Sequence, residues 1–298
     1  MSLLNKIRHG ARMEQAVKPD GTNVLDDDVF YQIRDIIYHS SGIYLKDQKK
    51  YLIETRLSGR LQQLQLTTFQ EYLEILKRPG ENEELHYLLD SITVNETSFF
   101  RNPPQINAFQ EVIFPRVIEM AQKNWQSRIR IFSAGCSSGE EAYTLAMIIY
   151  QQFPQILKEF TVDIVGVDIN REVLQQAIQG RFSKFSIRNL PETYLNEFFK
   201  PVGASYQIDD RIKRMVKFYK GNISDPDQMK KLGQFSIIFC RNVLIYFDKE
   251  SKKRTLQNLF NLLIPQGYLF IGHSESLHGI SQAFKLILLN KAIVYQRP

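Results

Sequence analysis

The chain has 298 residues, of which 43% are hydrophobic and 23% are charged. This composition is typical of a globular protein and excludes a wholly disordered or low-complexity chain. The formal net charge of +6 is compatible with an acidic partner. It does not indicate nucleic-acid binding, because no basic block is interleaved with aromatic residues.

Cysteine usage and the uncharged stretches bear on the cellular compartment. Only Cys136 and Cys240 are present, and neither belongs to a CxxC pair, so we expect no disulfide framework and no zinc ribbon. Two thiols fit a reducing compartment. No apolar segment of signal-peptide type opens the chain, and polar residues and a proline interrupt its longest uncharged run, 255–274. We therefore expect a cytoplasmic protein.

The N-terminal third is predicted to be helical after a short tail. Residues 1–25 lack periodicity and contain Pro19-Asp20-Gly21, a turn signal, so we expect a mobile tail. From Asp26 onward, apolar residues recur at helical spacing. Helices are expected from Asp26 to about Gly42 and then over 47–64, 69–77 and 81–91. Residues 26–94 are expected to form a small all-helical domain.

Beyond Pro103-Pro104, short apolar strands alternate with helices. Strands are predicted over 130–134, 162–167, 216–219, 235–240 and 268–272, with helices over 140–152, 171–178 and 249–263. The alternation predicts an α/β fold with a mostly parallel sheet, and the last residues predict a C-terminal antiparallel hairpin around Asn290-Lys291. The polar interval 181–214 is expected to be an inserted β-subdomain, with a hairpin of 205–208 and 211–214 around Asp209-Asp210.

A turn rich in small residues joins the first strand of this region to a helix. Gly135, Ser137, Ser138 and Gly139 allow a ligand to approach the backbone, and the following helix offers free N–H groups to an anion. The alternative is that these residues only make a tight turn. Neither a P-loop nor a GxGxxG pattern is present, which disfavours a nucleoside triphosphate or a dinucleotide.

Polar residues follow two further strands. Asp168 ends the second strand, where an acidic residue in such sheets binds ribose hydroxyls; the alternative is a cap for the next helix. Arg241, Asn242 and Tyr246 follow the strand 235–240, at the sheet edge where open α/β folds bind ligands. Upstream, Arg101 follows an aromatic pair, from which position it can reach a carboxylate.

Taken together, these motifs resemble those of the CheR-type chemotaxis receptor methyltransferases. The resemblance covers about residues 26–298, in the family's order. It rests on N-x-T-x-F-F-R over 95–101, S-x-G-E-E-x-Y over 137–143, the strand-end Asp168, C-R-N-V-x-I-Y-F-D over 240–248 and G-H-S-E over 272–275.

This resemblance implies an enzyme that transfers a methyl group from S-adenosylmethionine to glutamate carboxylates of chemoreceptors, with S-adenosylhomocysteine as product and no metal. It implies that Arg101 and Tyr246 flank the methyl group. It implies a cofactor set of Asn95, Thr97, Arg101, Gly135, Glu141, Asp168, Asn222, Ile223, Arg241 and Asn242.

The resemblance also implies a division of labour between domains. A helical domain over 26–94 would recognise the substrate, and a methyltransferase domain over 95–298 would carry the β-subdomain at about 181–214. In some relatives that subdomain binds a peptide at the receptor C-terminus. Because this interval matches the family least, such a peptide is an open question here.

Basic residues of the predicted helix 47–64 suggest how an acidic receptor helix is recognised. Lys49, Arg56 and Arg60 fall within about 40° of one another at 100° per residue. They form a basic ridge beside an apolar stripe. The alternative is an ordinary solvated face.

The chemistry of carboxyl methylation agrees with the residues available. A glutamate with a pKa of about 4.3 is ionised at neutral pH, so no general base is required and the enzyme mainly positions the reactants. We expect Arg101 to orient the carboxylate rather than clamp it, because the carboxylate loses its charge during transfer.

Two other functions remain as alternatives. The first is a nucleic-acid methyltransferase, because Asn102-Pro103-Pro104 resembles the N-P-P-aromatic signature of enzymes that methylate amino groups. This function is disfavoured because the motif here precedes the first strand and no aromatic residue follows it. A regulatory module that binds S-adenosylmethionine without transfer is the second alternative. The segment 272–276 resembles a serine hydrolase motif only superficially, since it lacks the closing glycine.

Overall fold

The computed structural model describes residues 24–80 and 83–298. The chain divides into two compact units. One runs up to Ile36 and again over Leu45–Ile92, and the other comprises Ile37–Tyr44 and Thr93–Pro298. Of the predicted tail 1–25, all but residues 24 and 25 lie outside the described residues. No helix within the described ranges is long and apolar enough to cross a membrane.

The first unit is built from helices, as the periodicity predicts. They are α1 (Asp27–Ser41), α2 (Lys50–Gln63), α3 (Phe69–Leu76) and α4 (Glu83–Ile92), with a 3-10 turn at Asp47–Lys49 before α2. α1 begins in this unit and ends in the other. Thr68 caps α3 in a capping box with Glu71, which satisfies N–H groups at both ends of the box.

The second unit contains a seven-stranded sheet and a smaller one. Its strands are β1 (Arg128–Ala134), β2 (Thr161–Asp168), β3 (Arg181–Ser183), β4 (Phe199–Val202), β5 (Ser205–Ile208), β6 (Val216–Lys220), β7 (Phe235–Cys240), β8 (Leu263–Ile271), β9 (Lys285–Leu289) and β10 (Ala292–Gln296). The large sheet has the order β6-β2-β1-β7-β8-β10-β9. Its pairs are parallel from β6 to β8, and β10 pairs antiparallel with both β8 and β9.

Helices cover both faces of the large sheet. They are α5 (Pro103–Ala108), α6 (Phe114–Lys123), α7 (Glu140–Gln152), α8 (Ile156–Glu159), α9 (Arg171–Gln179), α10 (Glu192–Phe198), α11 (Asp210–Lys213), α12 (Pro226–Lys230) and α13 (Lys249–Leu262). Alternate strand residues belong to separate cores, since Ile131 packs in a cluster with Tyr143 of α7 and Phe132 in one with Leu259 of α13. The predicted fold class is confirmed.

The small sheet, of order β3-β5-β4, forms the inserted β-subdomain. Here the predicted hairpin around Asp209-Asp210 is wrong. The hairpin joins β4 to β5, and residues 210–213 form a helical turn instead of a strand. The reason is that the Asp209 side chain accepts the Arg211 N–H and so caps that turn.

The helices between residues 103 and 123 were not predicted. Pro103-Pro104 indicated a boundary, yet both prolines occupy the first turn of α5, where their missing N–H groups cost nothing. The side chain of Asn102 accepts the Gln105 N–H and caps this helix. A π-helical turn, Phe109–Ile113, then leads into α6.

Candidate functional site at the carboxyl ends of the strands

The loop after β1 is held close to the end of β2. The N–H groups of Gly135 and Cys136 both donate to the Val167 carbonyl, at 2.8 and 3.1 Å. Gly135 has a φ of +73°, and a Cβ built on it would lie 2.4 Å from a methyl carbon of Val243. Only glycine fits there, because any side chain would collide with the loop after β7. The glycine thus brings these two loops together.

Asp168 fixes the same loop from the other side. Its buried carboxylate accepts the Ser137 N–H at 2.8 Å and the Asn170 N–H at 3.0 Å. The alternative reading of Asp168 as a helix cap is wrong, because the side chain of Asn170 caps α9 by accepting from Glu172 and Val173. Asp168 therefore holds the loop after β1 against the end of β2 instead of starting α9.

A buried ion pair links α7 to the end of β7. Glu141 accepts from Ser133 Oγ at 2.7 Å and pairs with Arg241 at 3.1 Å. The Arg241 side chain is only 4% exposed, and burial lowers its pKa while Glu141 raises it. Arg241 also donates to the carbonyl of Arg101 at 2.6 Å. The pair therefore positions the backbone of Arg101.

Arg101 and Tyr246 converge on one short segment. Arg101 donates to the Glu96 carbonyl at 2.9 Å, and the Tyr246 hydroxyl lies 3.5 Å from the Val94 carbonyl. Burial raises the pKa of Tyr246, whereas the charge of Arg101 lowers it. The phenol is therefore neutral near pH 7, as a hydrogen-bond donor must be.

The segment 93–97 contacts the loop after β1 as well. The Asn95 carbonyl accepts from Ser137 Oγ at 3.0 Å. Thr97 and Asn242 are half-buried, and within the described part of the chain neither side chain has a hydrogen-bond partner. Asn242 also has a φ of +60°, a costly conformation for a residue other than glycine and one that recurs at functional sites.

Asn222 and Ile223 lie in the loop after β6, next to the end of β2. The Gly221 N–H donates to the Asp168 carbonyl at 2.9 Å, which joins this loop to the site. The Asn222 side chain donates to the Ser40 carbonyl and accepts from the Ser224 N–H. Ile223 is buried. These two residues shape the rim of the site rather than offering free polar groups.

Sequence reasoning assigned no role to Glu275, although it belongs to the G-H-S-E motif. Its carboxylate accepts backbone N–H groups from Gly272 at 2.5 Å, Asn242 at 3.0 Å and Ile245 at 3.2 Å. It thus holds the loop that carries Asn242 and Tyr246. No local pattern could have revealed this, since the two loops are about 30 residues apart.

The three predicted ridge residues belong to the first unit or its edge turn. Arg60 forms a bidentate pair with the buried carboxylate of Glu84, with contacts of 2.7 and 2.9 Å, and stacks on the Tyr87 ring at 4.2 Å. The hydrogen bond to Glu84 raises the pKa of Arg60. Arg56 donates to the Ser91 carbonyl. Lys49 is exposed in the 3-10 turn before α2. Arg60 therefore stabilises the packing of this unit.

Comparison with known families assigns both units. Residues 28–93 match the family model described as the CheR methyltransferase all-alpha domain. Residues 95–293 match the model described as the CheR methyltransferase SAM binding domain, where SAM is S-adenosylmethionine. Together the two models span nearly all of the described chain.

Curated relatives agree over nearly their full lengths. Chemotaxis protein methyltransferase 2 of Vibrio cholerae serotype O1 is 35% identical over 276 residues, covering 92% of this chain and 94% of that protein. The chemotaxis protein methyltransferase of Borreliella burgdorferi is 38% identical over 262 residues, covering 86% of this chain and 90% of that protein.

The residues at the carboxyl ends of the strands fit S-adenosylmethionine chemically. Glu141 and Asp168 bring carboxylates to this edge, a group type that suits an ammonium group or ribose hydroxyls. Thr97 and Asn242 add a hydroxyl and an amide whose side chains have no hydrogen-bond partner among the described residues. Arg241 Nε is a buried donor that lacks an acceptor among the described residues. The chain therefore belongs to the CheR methyltransferase family and is a methyltransferase that uses S-adenosylmethionine.

Proposed function

We propose that this chain methylates glutamate side chains of chemoreceptors in the cytoplasm. The products are a glutamate methyl ester and S-adenosylhomocysteine. The curated relatives named as chemotaxis protein methyltransferases support chemoreceptors as the substrate class. The observation that carries the proposal is the convergence of Arg101 and Tyr246 on the carbonyls of residues 94 and 96.

The cofactor lies, in this proposal, along the carboxyl ends of β1, β2 and β7. S-adenosylmethionine supplies a methyl group made electrophilic by its sulfonium. Asp168 accepts hydrogen bonds from the ribose hydroxyls, and Glu141 faces the amino group. Thr97 and Asn242 contribute side-chain groups that have no hydrogen-bond partner in the described ranges. Asn95, Gly135, Asn222 and Ile223 shape the backbone around these contacts.

The protein's part in the reaction is to position a carboxylate that is already ionised. A glutamate of pKa about 4.3 needs no base at neutral pH. Arg101 orients its oxygens while Arg241 holds the Arg101 carbonyl. The neutral Tyr246 phenol donates a hydrogen bond beside it. Because the carboxylate loses its charge on methylation, an orienting contact accelerates transfer more than a tight ion pair does.

Receptor recognition is assigned to the first unit and, for some receptors, to the β-subdomain. Lys49 and Arg56 present positive charge to an acidic helix, and Arg60 joins α2 to α4 through its pair with Glu84. In the β-subdomain, β5 lies between β3 and β4, so both outer strands retain a backbone edge. Such an edge accepts an extended peptide by strand addition, which suits a receptor C-terminal peptide.

The test is transfer of labelled methyl groups from S-adenosylmethionine to membranes that carry the host's chemoreceptors. We expect label on receptor bands, and we expect mild base to release it, as a carboxyl methyl ester requires. Base-stable label would contradict glutamate methylation. No label, with S-adenosylhomocysteine binding verified separately, would contradict the assigned substrate.

Substitution of Arg101 tests its assigned role in the same assay. Arg101→Ala is expected to lower kcat at least tenfold, which corresponds to a rise of about 1.4 kcal/mol in the activation free energy. Loss of one charge-assisted hydrogen bond is sufficient for a change of this size. Arg101→Lys should retain part of the rate. Arg254→Ala, which removes an exposed arginine of α13, is the matched control. Normal turnover by Arg101→Ala would remove this residue from the mechanism.

A further inference from the structure

A second concave site lies in the second unit, near the amino ends of β1 and β2 and along β6. It is a cavity of about 300 Å³. That volume is at the lower end of the range for small-molecule sites. We call it the amino-end cavity, and its polar lining consists of Arg128, Arg130, Asp163, Lys217, Tyr219 and Lys231.

The strand register explains why these side chains meet. Arg130 pairs in register with Asp163, and Val165 pairs with Lys217. Residues paired across adjacent strands share one face of the sheet, and so do residues two apart. Farther along the strands, this same face is covered by the core cluster that includes Phe132. The amino ends are therefore the charged end of a face that is otherwise apolar.

The lining carries an excess of positive charge. Arg128 pairs with Asp163, which neutralises both. Lys217 and Lys231 are exposed, and neither forms a salt bridge with a described residue. With Arg130, the lining therefore holds four cations against the one carboxylate of Asp163, a net charge of +3. Like charges this close repel each other, and a bound anion would relieve that repulsion.

Arg130 is fixed in place rather than solvated. It donates to the carbonyls of Leu232 at 2.7 Å and Gln234 at 3.0 Å, and it stacks 4.3 Å from the centre of the Phe235 ring. Its Nε is buried and has no acceptor among the described residues. The cavity thus holds a pre-positioned guanidinium.

We propose that the amino-end cavity binds a small phosphate-bearing anion. Phosphate and diphosphate groups carry two or more negative charges, whereas a carboxylate ligand carries one. They therefore balance the excess positive charge of the lining more fully. Guanidinium and ammonium groups, which this cavity offers, are the usual protein partners of phosphate oxygens. Tyr219, which is 48% exposed, adds a ring on which a nucleotide base can stack.

The part of the cavity around Arg130 is separate from the methyl-transfer site, whereas Tyr219 pairs in register with Val167 and so lies nearer to the loop after β1. Arg130 lies four residues before Ala134, the last residue of β1. At about 3.3 Å per residue, that separation is about 13 Å along the strand. The anion and S-adenosylhomocysteine are therefore expected to bind independently.

Isothermal titration of the full chain with inorganic pyrophosphate and, separately, with ADP tests the proposal. We expect one molecule bound per chain at near-physiological salt, where surface attraction is screened. If pyrophosphate binds as well as ADP, the phosphate groups alone are recognised. If ADP binds more tightly and Tyr219→Leu removes the difference, a nucleotide is recognised. Binding of neither probe at millimolar concentration overturns the proposal.

Matched variants separate a specific site from general charge attraction. Lys217→Gln with Lys231→Gln is expected to weaken pyrophosphate binding at least tenfold. Lys184→Gln with Lys200→Gln removes the same charge from exposed positions outside the cavity and should change nothing. Equal weakening by both pairs overturns the proposal, and so does competition between pyrophosphate and S-adenosylhomocysteine.

Discussion

The carboxylate of Glu275 restrains the loop on which the proposed site depends, so its removal should cost activity. Three backbone N–H groups converge on it, from Gly272, Asn242 and Ile245. The change is Glu275→Ala, with Glu275→Gln as the conservative variant.

The magnitude follows from counting these bonds. A hydrogen bond to a charged group contributes about 1.5–3 kcal/mol and a neutral one about 0.5–1.5 kcal/mol. Glu275 is half-buried, so the lower values apply. Loss of all three bonds, partly replaced by bonds to water, lowers the free energy that holds the loop in this conformation by about 3 kcal/mol. Glutamine retains two neutral bonds but presents an NH₂ group to the third donor, which leaves about half of the restraint.

Activity is the appropriate assay, because the loop carries Asn242 and Tyr246. At about 1.36 kcal/mol per tenfold, we expect kcat/KM for methyl transfer to fall about 100-fold in Glu275→Ala and about tenfold in Glu275→Gln. Glu250→Ala removes an exposed carboxylate of α13 that pairs with Lys253, and it should retain wild-type activity. Wild-type kcat/KM in a folded Glu275→Ala variant would refute the reasoning.

Three further predictions concern stability. Arg60→Ala should cost about 2 kcal/mol in urea unfolding, because it removes the guanidinium that pairs with the buried carboxylate of Glu84; a loss below about 0.5 kcal/mol would contradict this. Glu141→Gln should cost about 3 kcal/mol in the same assay, since the Arg241 charge would remain buried without its partner, and a neutral result would contradict the role of the ion pair. Burial raises the pKa of Tyr143, so its contribution to stability is present below the unfolded value of about 10 and is lost as the pH rises through the folded value. Unfolding at pH 8 and at about pH 11 should show that loss, and Tyr143→Phe should reduce the difference between the two.

Local patterns in the sequence were sufficient to predict most of the helices and strands. α7 and β7 were predicted with the bounds that the structure shows, Glu140–Gln152 and Phe235–Cys240. A long apolar helix and a short apolar strand bounded by polar residues are unambiguous because their periodicity reflects burial directly. Among the elements that were not predicted, α5 and the turn α11 are short, and capping by Asn102 and Asp209 decides where they begin.

The residue types of the site could also be predicted from the sequence, because the order of the elements indicates which residues lie at the strand ends. Asp168, Arg241, Asn242 and Tyr246 were placed at the sheet edge from strand position alone, and Arg101 was singled out because it follows an aromatic pair. How each of these side chains is used could not be read in this way. Asn170 and not Asp168 caps α9, and Arg60 is committed to Glu84.

What the sequence determined by itself was therefore the set of elements, their alternation and the chemistry available at the strand ends. Only the tertiary structure decided the partners. Glu141 meets Arg241 across 100 residues, and Glu275 meets Asn242 across 33. The physical reason is range, since helix and strand periodicity arise from neighbours a few residues apart. The pairing of buried charges arises from strands that the fold brings side by side.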